Sequence, residues 1–271
     1  MTSKNSQAST PLQNQELLFE ERKNVGWAKF NRPKARNALT LAMYDRLAEI
    51  CRSCDGKGAV KALIVTGCDE HAFAAGTDIS LFRNFETKAD GLDYEARMEK
   101  VLTDIENCAV PTIAAISGPC TGGGAAIATV CDIRLATSSM RFGFPIARTL
   151  GNCLSATNLI RLTEALGSSR TRDIMMTARL IGPEEAQAMG LVREVLSNHE
   201  ALLARAETLA EQLISHAPLT LSATKVMLRR IREARPNVED DDLIARCYTS
   251  NDFKEGIDAF LTKRPPEWKG H

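Results

Sequence analysis

The chain has 271 residues, 44% of them hydrophobic and 25% charged, which suits one large globular domain or a domain with an appendage. Its 34 basic and 34 acidic residues cancel, so no net charge draws it to nucleic acid, and no apolar run approaches the ~20 residues of a membrane span. A chain this long buries enough surface to need neither a disulfide nor a structural metal.

Residues 1–15 are polar and carry a single basic residue, Lys4, so a disordered tail is expected there, with neither a secretory nor a mitochondrial leader. The 8 cysteines then read as reduced thiols in a cytoplasm. Residues 17–30 predict two strands around a turn at residues 24–26. Thr40 can cap a helix whose apolar face is Met43, Leu47, Ile50 and Cys54. Cys51 and Cys54 form a CxxC, but they fall in phase with that face. With no second CxxC to supply further ligands, they are expected as buried helix residues and no metal is expected. Residues 59–65 form a continuous apolar run, as in a strand covered on both faces.

A Gly-containing loop follows over residues 71–78, then a less regular stretch to Asp90. An amphipathic helix is expected over 94–108, with Met98, Val101, Leu102 and Ile105 in register. The outline then repeats: a strand at 112–117, a loop at 118–124, a short helix from Ala125 and a strand at 130–136. Pro183 with Glu184 and Glu185 opens a helix that Gly190 ends, and residues 191–196 form a last strand. From His199 onward the pattern is helical. The expected organisation is a mixed α/β core over 16–198 and a C-terminal helical arm over 199–271, whose apolar surface packs on its own core or on a neighbouring subunit.

Two loops stand out. Ala72-Phe-Ala-Ala-Gly-Thr-Asp-Ile79 follows a buried strand, and Gly118-Pro-Cys-Thr-Gly-Gly-Gly-Ala125 leads from a strand into a helix. Glycines at a helix start leave backbone N–H groups uncovered at the positive end of the helix dipole, where a phosphate or an oxyanion can sit. The same glycines can equally serve tight helix–strand packing. No Gly-Lys-Ser/Thr follows them, and the dinucleotide-binding pattern does not fit either.

These segments resemble the crotonase (enoyl-CoA hydratase/isomerase) family when taken in order with several others. The others are Asn31-Arg-Pro-Lys-Ala-Arg-Asn-Ala-Leu39, Cys131-Asp-Ile-Arg134, Gly182-Pro-Glu-Glu-Ala186, Ala188-Met-Gly-Leu-Val192 and Lys263-Arg-Pro-Pro. The resemblance runs from about residue 16 to the end of the sequence. It implies an α/β fold, a crotonase-like spiral of ββα units with a C-terminal helical trimerisation arm, assembled as a homotrimer or dimer of trimers. It also implies an acyl-CoA substrate of the kind met in fatty acid metabolism, with coenzyme A as part of the substrate and no permanently bound cofactor.

By motif position, the resemblance implies an oxyanion hole made by the backbone N–H groups of Thr77 and Gly123. Lys34, Arg36, Ala75, Asp78 and Ile79 would line the coenzyme A cleft, with Lys263 reaching a phosphate from the arm of its own or another subunit. Two aligned donors favour the enolate-like transition state over the ground state, which is what accelerates a reaction.

The sequence also leaves the family pattern. The two glutamates that handle water in hydratases of the family fall at Ala126 and Ile146, the latter in Phe142-Gly-Phe-Pro-Ile146. Neither side chain orients water or moves a proton. His71, Arg148, Asn152 and Ser155 are the candidate acid/base or polar pocket residues in their stead. Cys120 and Cys153 read as small buried residues. Three readings stay open: an unusual enoyl-CoA hydratase or isomerase, a crotonase-like decarboxylase or hydrolase, and a non-catalytic acyl-CoA-binding protein. Decarboxylation forms an enolate without a base, so it tolerates the missing carboxylates.

Overall fold

The computed structural model describes residues 16–235 and 238–271; the expected tail at 1–15 lies outside them. Strands β1 (Leu17–Arg22) and β2 (Val25–Phe30) pair antiparallel. Lys23 and Asn24 both have positive φ, the two-residue turn whose twist matches its flanking strands. The turn therefore falls one residue earlier than expected, and Val25 and Gly26 already belong to β2.

All further pairings in the main sheet are parallel. Strands β3 (Ala62–Gly67), β4 (Thr112–Ile116), β6 (Ile133–Thr137) and β8 (Glu194–Leu196) follow β2 in the order β1-β2-β3-β4-β6-β8. Parallel neighbours need crossovers, and helices α1 (Leu41–Ser53) and α2 (Lys88–Glu106) supply two of them. A second, two-stranded sheet pairs β5 (Pro119–Thr121) with β7 (Arg141–Gly143). The stretch expected as a loop at 118–124 thus contains β5 and the first residues of helix α3 (Gly123–Val130).

Local chemistry accounts for the helix starts. Thr40 caps α1, its hydroxyl accepting from the Met43 amide. Helix α2 begins at Lys88 rather than Tyr94, because Thr87 and Asp90 form a reciprocal capping box. Cys51 and Cys54 are buried against the core, as expected.

Every residue of β3 is buried, and its side chains divide between two faces. Leu63 and Val65 join the core formed with α1, α2 and α3, whereas Ala62 and Ile64 join Trp27, Ile113 and Leu135. That second face is covered by α8 (His199–Ile214), through Leu202, Ala206, Leu209 and Ala210. The first helix after residue 198 is therefore built into the sheet's own packing.

The later helices behave differently. Helix α9 (Pro218–Glu233) has no buried residue and exposes Leu219, Met227, Leu228 and Ile231. Helices α10 (Asp241–Tyr248) and α11 (Asn251–Thr262) pack instead against α2 and the turn at residues 79–84. There Ile244, Tyr248, Phe253 and Ile257 pack with Phe82 and Leu150.

Because α8 closes one face of the sheet, Leu202→Ala is expected to lower unfolding free energy by about 2–5 kcal/mol, read from denaturant melts. A loss within the scatter of surface substitutions would mean that α8 is an appendage.

Candidate active site

The segment after β3 is held from both sides. Ala74 donates to the Pro119 carbonyl (3.1 Å) and accepts from the Thr121 amide (3.0 Å), while Ala75 donates to the Arg36 carbonyl (3.0 Å). Two residues on, the Gly76 carbonyl accepts from the Leu39 amide (2.8 Å) and the Asp78 amide donates to the Leu39 carbonyl (2.9 Å). In a parallel bridge of this kind the residue between two such bonds turns its own N–H to the opposite edge. That residue is Thr77. Its opposite edge faces β5 and α3.

On that side Gly122 has φ +51° and ψ −119°, and its amide donates to the Gly143 carbonyl at 3.0 Å. This conformation favours glycine and lets α3 begin at Gly123, whose N–H lies in the uncapped first turn. Among the described residues, neither the Thr77 nor the Gly123 amide has an acceptor. The two loops are in direct contact: a Cβ at Gly122 would lie 3.6 Å from the Gly76 Cα, and one at Gly123 would lie 3.1 Å from the Thr77 hydroxyl oxygen. Gly124 serves close packing, since a Cβ there would come within 2.3 Å of the Ala74 carbonyl oxygen. The packing reading of the glycine run thus holds for Gly124.

Hydroxyl groups brace the Thr77 loop. The Thr77 Oγ1 lies 2.8 Å from the Tyr44 Oη and 2.9 Å from the Tyr94 Oη. A Cβ on Gly123 would come within 1.8 Å of the same Tyr44 oxygen. Burial pushes both tyrosines above their ordinary range, so they hold the loop as neutral hydrogen-bonding groups.

Beside these loops lies a cavity of about 530 Å³ that takes in Thr77, Gly122 and Gly123. Arg36, Ala75, Asp78, Ile79 and Asn152 line it as well, as do Ala126 and Ile146. The two positions where the resemblance expects glutamates therefore form apolar wall. Asp78 is engaged elsewhere, accepting from Arg32 Nη1 (3.0 Å) and from the Ser80 hydroxyl (2.8 Å).

Other expected residues do not reach this cavity. His71 lines a separate one of about 410 Å³ on another side of the β5 loop, with Ser117 and His199. It is not among the residues lining the cavity at Thr77 and Gly123. Arg148 is exposed in the last turn of α4 (Ile146–Thr149), of which Ile146 and Thr149 turn inward instead. Ser155 caps helix α5 (Ala156–Leu166) by accepting from the Asn158 amide at 3.3 Å, so its hydroxyl is structural. Lys34, in the 3-10 turn Pro33–Ala35, and Lys263, the left-handed cap of α11, are exposed outside the wall. Their near neighbours Ala35, Arg36, Phe260 and Leu261 do line it.

One carboxyl in the wall escaped the sequence reading. Glu95 of α2 is 7% exposed and accepts from the Tyr248 Oη at 2.6 Å; Tyr248 in turn accepts from Asn152 Nδ2 at 3.2 Å. Burial raises the Glu95 carboxyl to about 7, and the bond from Tyr248 only partly opposes this. A signal was available: Glu95 stands three, seven and ten residues before Met98, Leu102 and Ile105, a charge on the buried face of its helix.

The enoyl-CoA hydratase/isomerase family model matches residues 20–271. Among curated relatives, a short-chain-enoyl-CoA hydratase of Clostridium acetobutylicum is 31% identical over 254 residues, covering 93% of this chain and 96% of the relative. A probable enoyl-CoA hydratase of Rhizobium meliloti is 33% identical over 263 residues, with 93% and 97% covered. Among solved structures, an enoyl-CoA hydratase/carnithine racemase from Magnetospirillum magneticum aligns with a TM-score of 0.77 at 30% identity, over 95% of this chain and 96% of that one. Methylmalonyl-CoA decarboxylase bound to 2-nitronate-propionyl-CoA aligns with a TM-score of 0.85 at 25% identity, over 95% and 99%. The chain belongs to the enoyl-CoA hydratase/isomerase family, has the crotonase fold and is an acyl-CoA enzyme of that family.

Thr77→Val, which strips both tyrosine hydroxyls of their shared partner, is expected to cost about 1–3 kcal/mol of stability, and Thr77→Ser much less. Equal melting temperatures for all three proteins would remove the bracing role.

Proposed function

We propose that the cavity holds an acyl-CoA with its thioester oxygen between the Thr77 and Gly123 amides, and that the protein catalyses a hydratase/isomerase-type reaction through an enolate. The observation that carries this reading is a pair of adjacent amides facing one cavity, neither of which has an acceptor among the described residues. Donors fixed in a cavity wall gain most from a developing oxyanion once a ligand has displaced water from them. The apolar wall at Ala126 and Ile146 argues against the two-carboxylate handling of water.

Arg36 at the cavity, with Lys34 and Lys263 close by along the chain, supplies cations for the phosphates of coenzyme A. Coenzyme A enters as part of the substrate, and no permanent cofactor belongs to this reading. The exposed apolar residues of α9 fit a contact between subunits, in keeping with a homotrimer or a dimer of trimers. Among the described residues no helix is long and apolar enough to cross a membrane; a cytoplasmic location is part of the proposal.

Decarboxylation is a second reading, favoured by the TM-score of 0.85 to methylmalonyl-CoA decarboxylase. Loss of carbon dioxide creates the same enolate and draws on the same two donors.

A short enoyl-CoA is expected to lose its conjugated absorbance in the presence of the protein, and a methylmalonyl-type thioester to stay intact. The reverse outcome selects decarboxylation. Binding of both without turnover would leave an acyl-CoA-binding protein. Gly123→Ala, which drives a methyl group into Tyr44 and displaces the donor, is expected to lower kcat by about 10²–10³. An unchanged rate would rule out the hole.

A further inference from the structure

Two carboxyl side chains line the cavity among the described residues, Asp78 and Glu95. Asp78 is consumed by Arg32 and Ser80. Glu95 has no ion pair among the described residues; its side-chain bond is from the neutral Tyr248 hydroxyl, and the Ser155 backbone N–H also favours the charged carboxyl. Resting on the thioester reading above, we propose that Glu95 is the proton-carrying group of this enzyme, standing in for the absent glutamates from a different element and held in position by Tyr248.

The placement has two parts. Glu95 follows Tyr94 on α2, and the Tyr94 Oη lies 2.9 Å from the Thr77 Oγ1, so the carboxyl and the Thr77 amide belong to one wall. Across from it, Tyr248 approaches α2 closely because Gly91, one turn before Glu95, has no side chain. A Cβ at Gly91 would lie 2.6 Å from the Tyr248 Cβ. The Asn152–Tyr248–Glu95 bonds run in one direction, each donor handing on to the next acceptor, and end on the carboxyl.

The surroundings keep the carboxyl poised rather than permanently charged. Its own helix contributes Tyr94 and Glu99, the latter paired with Arg161 of α5. Tyr44 of α1, Cys153 of the loop before α5, and Asp240 and Tyr248 at α10 also act on it. Glu99 and Asp240 are like charges, and together with burial they outweigh the Tyr248 bond; the carboxyl titrates at about 7. An acid or base is most effective when its pKa lies near the working pH.

The step balances without a co-reactant. The carboxylate takes the proton from the carbon next to the thioester carbonyl. That C–H bond breaks, and its electron pair passes into the carbonyl oxygen held by the Thr77 and Gly123 amides. The resulting carboxylic acid returns the proton to the same or another carbon of the acyl chain, and Glu95 is a carboxylate again. Met98, Leu102, Ile146 and Leu154 surround the space, which selects an uncharged, apolar acyl chain.

The experiment is exchange of the α-protons of butyryl-CoA in deuterated water, followed by NMR at pH values on both sides of neutrality. The wild type is expected to exchange faster as pH rises through about 7, where Glu95 becomes the carboxylate. Glu95→Gln, which keeps the shape, is expected to lose about 10²–10⁴-fold in rate and the pH limb with it, with acyl-CoA affinity retained. Its melting temperature above pH 7 should match or exceed that of the wild type, because a raised carboxyl pKa costs stability once the group is charged. Tyr248→Phe removes a bond that favours the charged form, so exchange should persist with its limb moved to higher pH. A Glu95→Gln protein with wild-type rate and limb overturns the proposal and leaves the thioester reading standing. Butyryl-CoA bound by the wild type without exchange overturns the proposal alone; neither binding nor exchange overturns that reading and the proposal together.

Discussion

The alternation of hydrogen bonds along residues 74–78 is the constraint on which the site depends. Ala74 is tied to β5, Ala75 to the Arg36 carbonyl, and Gly76 and Asp78 to Leu39. With its neighbours so committed, the Thr77 amide has only the opposite edge to face, where Gly122 turns and α3 begins. Fixed backbone donors need no reorganisation when charge develops on a ligand, whereas side-chain donors must be held in their rotamers. The surroundings supply rigidity instead: Tyr44 and Tyr94 grip the Thr77 hydroxyl, and Gly124 lets α3 lie against Ala74.

The chemistry of the cavity is a separate matter from its backbone. Where the family resemblance implies carboxylates, Ala126 and Ile146 provide hydrocarbon. That substitution removes two charges from a confined space and leaves Glu95 as a carboxyl whose ionisation is governed by burial and by Tyr248. The C-terminal helices matter for the same reason. Helix α10 brings the Tyr248 hydroxyl to Glu95, and α11 brings Phe260 and Leu261 to the cavity. The last third of the chain is therefore part of the cavity wall.

Much of this was readable in the sequence because its signals are local. The Thr40 cap, the apolar run that became β3, the Pro183 start of α7 (Pro183–Ala188) and the glycine run at the start of α3 each depend on a few neighbouring residues. The order of the motifs brought the fold family within reach. What escaped depends on contacts distant in sequence. Glu95 and Tyr248 are 153 residues apart, and nothing near either one announces the other. His71 sits beside the first loop in sequence yet lines another cavity, with Ser117 and His199 from distant parts of the chain. Similarly, α8 looks like the start of a helical arm until its Leu202 and Leu209 are seen against the sheet.

A crystal structure with a non-reactive butyryl-CoA thioether ketone would test the central claim most directly. The account predicts the carbonyl oxygen within hydrogen-bond distance of both the Thr77 and the Gly123 amide nitrogens. An oxygen bound elsewhere, with either amide turned away from the ligand, would contradict it.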